Sequence, residues 1–257
     1  MKLEPLRRSR RLYFASVLII GSLALGSSGK SALADDDSDA AARAELDQTV
    51  NTLLTQPAVV DFLLKHPDAV INALQATRAR DVIAQKSEEL FENADDLVAG
   101  NAKGDVTIVE FFDYRCPFCK QVEPALDALL REDTKLRVVY KEFPVLGEAS
   151  TFATRMALAS RAQGKYAAFH HAMMAAKGDI NDDFALKVAA SVGIDIGKAK
   201  AAMDSPDIAR IIQDNYDLAD ALYIQGTPAI IVGTTMIPGA VDIAALRRAV
   251  AAARKGG

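Results

Sequence analysis

The chain has 257 residues, half of them hydrophobic and a quarter charged, with no tryptophan. That is enough apolar content to bury a sizeable core, and too much for a disordered chain. Lys+Arg number 30 against 34 Asp+Glu, and no basic stripe runs along the chain to follow a phosphate backbone, which argues against nucleic-acid binding.

The N-terminus carries a basic cluster, Arg7, Arg8, Arg10 and Arg11, then an apolar run from Leu12 to Leu25. Ala32-Leu33-Ala34 follows, an A-x-A pattern just before Asp35-Asp36-Asp37. This is the layout of a cleaved secretory signal. The run of about 14 residues is short of the roughly 20 a membrane anchor needs. Ser9 to Phe14 also resembles a twin-arginine export signal. Residues 1–34 are therefore expected to be a leader, cleaved after about Ala34, that delivers the protein to the periplasm. Its loss takes the formal charge from −4 to −9.

Residues 35–100 read as helical throughout. Leu46, Val50 and Leu53 recur at helical spacing, and Pro57 suits the first turn of a short helix over Val59 to Leu64. Pro67 opens another helix, with Val70, Ile71 and Leu74 on one face. Its pattern runs on through Val82, Ile83, Leu90 and Phe91, predicting one helix of about 25 residues, long for a globular domain. The apolar stripe needs a cover. An arm folded back on the rest of the chain would supply one. A stalk pairing with copies of itself is the reading taken, because the helices are too few to bury themselves, and a homo-oligomer is expected.

After Gly100-Asn101 the pattern changes. Val106 to Phe112 predicts a strand, and Pro117 opens a helix to about Arg131. Arg137 to Phe143 predicts a second strand. Residues 148–223 read as short helices broken at Gly164, Gly178, Gly193 and Pro206. A hairpin follows, Ala229 to Val232 and Thr235 to Ile237 about Gly233-Thr234. Asp242 then caps a last helix through Val250.

Cys116 and Cys119, the two cysteines of the chain, sit in "DYRCPFCK" between the first of these strands and its helix. A zinc site would need two more ligands, and the histidines, His66 and the adjacent pair His170-His171, lack a ligand spacing. A structural disulfide closing so small a loop would restrain little of the unfolded chain. A redox pair fits best. Cys116 would start the helix, where unpaired N–H groups and the dipole favour its thiolate, and its pKa is expected at about 3.5–7.5.

"VEFFDYRCPFCK" at 109–120, "KEFPVLG" at 141–147 and "GTPAIIVG" at 226–233 resemble the DsbA family of thiol–disulfide oxidoreductases. The resemblance covers about residues 101–257 and implies an α/β thioredoxin fold with a helical insertion at about 148–223. It implies that Cys116 attacks, Cys119 resolves, and Pro228 is a cis-proline facing them. Pro117, Phe118 and Thr227 would complete the substrate-binding surface. Glu110 and Glu123 match acidic positions of the family, where a carboxylate relays the proton of the buried thiol. From the residues alone, Glu123 reads equally as a solvated helix residue and Glu110 as surface-facing. His170 and His171 read as helix-surface residues. The N-terminal helices are similar to the suppressor-of-copper-sensitivity subgroup, the ScsC-like proteins.

The family implies no cofactor beyond the redox-active cysteine pair and no resident metal. Its expected partners are misoxidised or unfolded exported proteins and a membrane redox protein. The family's strong oxidase has His at the place of Phe118 and Val at that of Thr227. Phe118 offers the thiolate neither hydrogen bond nor charge, so Cys116 is expected to be less acidic and the disulfide a weaker oxidant. Both differences favour an isomerase or reductase. A dithiol oxidase and a Cu(I)-binding chaperone stay open as alternatives.

Overall fold

The computed structural model describes residues 34–256. The leader expected over residues 1–34 lies outside them, Ala34 excepted. Among the described residues no helix is long and apolar enough to cross a membrane. The chain divides between Lys65 and His66 into two compact units.

The first unit holds α1 (Ala34–Leu54) and α2 (Pro57–Lys65). Leu46, Val50, Leu53 and Leu54 of α1, with Phe62 and Leu64 of α2, are exposed, and α2 buries no residue. Two helices cannot enclose a core of their own, so these side chains stay in solvent.

The second unit opens with α3 (Pro67–Gln85) and α4 (Ser87–Phe91). The single helix predicted from Pro67 to Phe91 is thus two. The Lys86 N–H closes α3 on the Val82 carbonyl at 2.8 Å, and the Lys86 carbonyl accepts from Leu90 N at 2.9 Å. The turn brings Ile83 and Leu90 into one core cluster with Val109, Phe111 and Leu218. Of the expected apolar face on α3, Ile71 and Leu74 are exposed, and the Val70 side chain lies outside the described ones. Residues 66–100 therefore join the second unit rather than the helices before them.

The prediction that everything before residue 100 is helical also needs correction, because β1 (Leu97–Gly100) is a strand antiparallel to β3 (Leu136–Glu142). At Gly100, with φ of +79°, an added Cβ would lie 2.6 Å from the Leu136 carbonyl oxygen. Gly100 thus ends an edge strand.

The central strand is β2 (Val106–Phe112), which pairs parallel with β3 through the crossover helix α5 (Pro117–Glu132). The hairpin of β4 (Ala229–Val232) and β5 (Thr235–Pro238) completes a five-stranded sheet in the order β1-β3-β2-β4-β5. Between β3 and β4 run α6 (Glu148–Ala159), a 3-10 turn (Ser160–Gln163), α7 (Tyr166–Ala175), α8 (Asp182–Ser191), α9 (Ile196–Ala202) and α10 (Pro206–Ala221). The chain closes with α11 (Ile243–Ala253), where Asp242 accepts from Ala245 N at 2.7 Å as its cap. This is the thioredoxin-like α/β fold.

The sheet is covered on both faces, so its inner strands read as apolar runs without alternation. Ile108 and Phe112 face Val122 and Leu126 of α5, and Val109 and Phe111 face Ile83, Leu218 and Leu222. Charged residues inside β3 survive by pairing. Lys141 Nζ meets Asp96 at 2.5 Å, both buried, and Arg137 meets Glu92 at 2.9 Å. These two pairs tie the segment before β1 to the centre of the sheet.

Candidate active site

β2 ends at a buried aspartate that builds the approach to the cysteines. Asp113 Oδ1 accepts from Arg115 N at 2.7 Å and Ser150 Oγ at 2.8 Å, and Oδ2 accepts from Leu146 N at 3.0 Å. Its carbonyl takes the Cys116 N–H at 3.0 Å. The turn thus held places Cys116 as the N-cap of α5, with Pro117 in the first turn. Proline fits there because that position has no intrahelical use for an N–H. Nothing local in the sequence announces the three acceptor bonds of Asp113.

The two thiols differ in setting. Cys116 Sγ lies 3.2 Å from the Thr227 carbonyl oxygen, to which its thiol donates. The Thr227–Pro228 bond is cis, and the tertiary amide of an X–Pro bond makes that geometry accessible. A hydrogen bond from Cys119 to Cys116 does most to lower the Cys116 pKa, against burial. The Thr227 side chain and the Cys119 and Phe118 N–H groups add to it, and the thiol comes down to about 6. Cys119, one turn inside and fully buried, moves the other way. The same hydrogen bond to Cys116, then burial, then the neighbouring Glu110 all raise it. One thiol is set to be the thiolate and the other to hold the proton.

Phe118 is 57% exposed. The lowering of Cys116 comes from Cys119, Thr227 and the N–H groups at the helix start, not from the Phe118 ring. Phe118→His adds an imidazolium near the thiolate, and is expected to lower the midpoint of thiolate absorbance by about one pH unit. An unchanged midpoint would show that the added charge does not reach the sulphur.

Beneath the cysteines lies a buried polar cluster. Glu110 is fully buried and neither of its carboxyl oxygens has a hydrogen-bond partner among the described residues. On alternating β2 positions it shares the face of Ile108 and Phe112, toward α5. Burial, then the charges of Glu123 and Cys116, push its pKa well above the ordinary carboxylate range. The surface-facing reading of Glu110 is therefore corrected.

Glu123 is buried as well, at 5% exposure, so its solvated reading is also corrected. Burial opposes its ionisation. The imidazoles of His170 and His171, 3.5 and 3.2 Å from its Oε1, outweigh that and bring it to about 2. His170 is fully buried, not on the surface as its sequence predicts. Burial holds it neutral, whereas pairing with Glu123 raises His171. Helix α7 turns His170 inward to pack against Tyr140, ring centroids 4.4 Å apart and tilted by 50°, and to meet the Tyr114 hydroxyl at 3.3 Å. Tyr114 in turn donates to the buried Glu142 at 2.9 Å. Two adjacent histidines fall on different helix faces, and their types alone do not say which is inside.

Lys120, next to Cys119, spans from α5 to the end of α7. Its Nζ donates to the Met173 carbonyl and, at 3.0 Å, to that of Ala176. A cation there meets the negative end of the α7 dipole, and burial lowers its pKa to about 8. Glu123, Asp127 and His171 present one nitrogen and two carboxylate oxygens within 4.8 Å of one another. Two of the three, Glu123 and His171, form the ion pair described above.

Comparison with known proteins agrees with this geometry. A family model described as a DSBA-like thioredoxin domain matches residues 107–251. A thioredoxin-like oxidoreductase from Silicibacter pomeroyi DSS-3 is 42% identical with a TM-score of 0.64, over 65% of this chain and 97% of that one. The catalytic domain of Proteus mirabilis ScsC is 28% identical with a TM-score of 0.62, over 68% and 97% of the two chains. The Na(+)/H(+) antiporter NhaA 1 of Salinispora arenicola is 32% identical over 164 residues, which are 63% of this chain and 25% of that protein. The chain thus spans about a quarter of the length of such curated relatives.

Proposed function

The chain belongs to the DsbA-like thioredoxin domain family, and we propose that it is an exported protein disulfide isomerase or reductase. One observation carries the reading: a Cys116 thiol lowered to about 6 at the start of α5, against the Thr227 carbonyl, with a proton-holding Cys119 behind it.

The Cys116 thiolate attacks a substrate disulfide. The S–S bond breaks, one substrate sulphur leaves as a thiol after taking a proton, and the other is held as a mixed disulfide. In isomerisation a second substrate thiolate attacks that bond and returns Cys116 as thiolate, with no net oxidation. In reduction Cys119 attacks Cys116, releasing reduced substrate and leaving the Cys116–Cys119 disulfide. Cys119 must first lose its proton, and the neighbouring carboxyl of Glu110 is the group suited to relay it, with Glu123 and its histidines behind. Thr227 and Pro228 present backbone for an extended substrate beside the sulphurs, and Pro117 and exposed Phe118 form the other lip. No cofactor beyond the cysteine pair enters these steps.

A thiol near 6 lies between about 7 for a reductant such as thioredoxin and about 3.5 for a strong oxidant. Together with Thr227 before the cis-proline, this supports isomerase or reductase work, with a membrane reductase keeping the pair reduced. Thiol alkylation in cells tests the direction. A mostly reduced pair is expected, and a mostly oxidised pair would transfer the protein to the dithiol oxidases.

The exposed apolar residues of α1 and α2 support self-association through the first unit. That would hold several Cys116 thiols about one misfolded client. Light scattering on the chain from residue 35 and on the chain from His66 is expected to give an oligomer and a monomer. Isomerisation of a scrambled multi-disulfide substrate should fall with the truncation. Two monomers would contradict the stalk.

A further inference from the structure

The cis-proline loop, Gly226 to Pro228, also lines a groove of about 650 Å³. Its floor and walls are apolar or neutral, from Ile224, Pro228, Met236 and Pro238 among others. Its other wall is α3, through Gln75, Arg78 and Ala79. Arg78 is the one charged side chain lining it, is exposed, and forms no ion pair with the described residues. These α3 residues lie outside the 107–251 stretch matched to the family.

The rim carries a second feature. Tyr223 ends α10 in a left-handed conformation, φ 56°, where glycine or asparagine is usual. The turn is fixed by Tyr223 N on the Asp220 carbonyl at 3.0 Å and Ile224 N on the Ala219 carbonyl at 2.8 Å. It stands the tyrosine ring 74% exposed at the groove's edge. A large aromatic kept at a strained backbone position and left in solvent suits contact with a bound chain.

We propose that this groove is a substrate subsite, and that Arg78 makes the protein prefer polypeptide segments with an aspartate or glutamate close to the reacting cysteine. The proposal rests on the exchange reading, which puts an extended substrate along Thr227 and Pro228. Those residues line the groove and also carry the carbonyl 3.2 Å from Cys116 Sγ. A chain reacting at Cys116 and running past Tyr223 would lay its next side chains on Ile224, Met236 and Pro238. There it meets a single positive charge with no acidic group of the groove to neutralise it. The other groove beside Cys116, along α5, mixes Arg115, Lys120, Arg131 and Lys177 with Glu123, Asp127 and Asp179, and so favours neither sign.

The test uses reduced full-length protein and nine-residue peptides, each with a central cysteine in mixed disulfide with a fluorogenic thiol. Glu, Gln or Lys is placed in turn at each of four positions on either side. Cys116 attacks the peptide sulphur, the S–S bond breaks, and the reporter leaves as its thiolate, giving the signal. At one position or more, Glu should react about three- to tenfold faster than Lys, the scale of one partly exposed ion pair set against its like-charge counterpart. The ratio should shrink in high salt. Arg78→Gln should bring it to about one and Arg78→Glu should invert it. Gln75→Glu, one helical turn away, should weaken the preference with Arg78 still present. Equal rates for Glu and Lys at every position, or a ratio unmoved by all three substitutions, would overturn the subsite. Failure of every peptide to react would overturn the exchange reading itself, and the subsite with it.

Discussion

Replacing Cys116 by serine is expected to reduce disulfide exchange to the uncatalysed rate, whereas Cys119→Ser should accumulate mixed disulfides with substrates. The asymmetry follows from position. Cys116 caps α5, where free N–H groups and its bond from Cys119 stabilise a thiolate. Cys119 is fully buried and its proton is held more tightly than in a free cysteine. The first step needs the Cys116 thiolate alone. The resolving step needs Cys119, so its loss halts the reaction half-way with the substrate attached. Non-reducing electrophoresis of both variants with a disulfide-bonded client shows the outcome. Trapping by Cys116→Ser instead would reverse the roles.

The second large effect is expected at Glu110. A carboxyl with no hydrogen-bond partner in the middle of the sheet is costly to fold, and its retention beside Cys119 points to a task. Glu110→Gln keeps the shape and removes the transferable proton. Release of reduced substrate should slow by about 10²-fold, the lower end for loss of a positioned acid or base. Attack by Cys116 should change far less, because it needs no proton from Cys119. The stability effect has a definite sign. The folded pKa lies above the ordinary 4.5, so the unfolded chain releases this proton first. Wild-type stability is therefore lost as pH rises above about 4.5. Glu110→Gln should flatten that fall and be the more stable protein at neutral pH. Single-turnover kinetics and urea unfolding between pH 4 and 8 check the two halves separately. A variant with unchanged resolution kinetics would remove Glu110 from the relay.

What the sequence made legible was whatever is encoded locally. The apolar run into Cys116-Pro117, the hairpin about Gly233-Thr234 and the cap at Asp242 carry their signals within a few residues, and each appears where expected. What stayed hidden depends on distant partners. Leu97–Gly100 has too few residues to show a period, and becomes a strand because β3 offers it an edge. The turn at Lys86 exists because Ile83 and Leu90 reach one core, while the periodicity across it is unbroken. Glu110 looks like a polar interruption of a strand until α5 covers that face. His170 and His171 are chemically identical in sequence, and the direction of α7 alone sends one inward. Asp113 shows its purpose only when Ser150 and Leu146, more than thirty residues on, arrive to donate to it.

The claim on which the rest depends is that Cys116 is the thiolate and Cys119 the proton holder. Alkylation of the reduced full-length protein by iodoacetamide, followed against pH with each thiol read by mass spectrometry, tests it most directly. The account predicts that Cys116 reacts with a midpoint near pH 6, its rate falling as the thiolate is protonated below that, as its pKa of about 6 requires. Cys119 should stay unmodified throughout the neutral range. A common midpoint for both thiols near the ordinary value of about 8.5, or faster modification of Cys119, would contradict it.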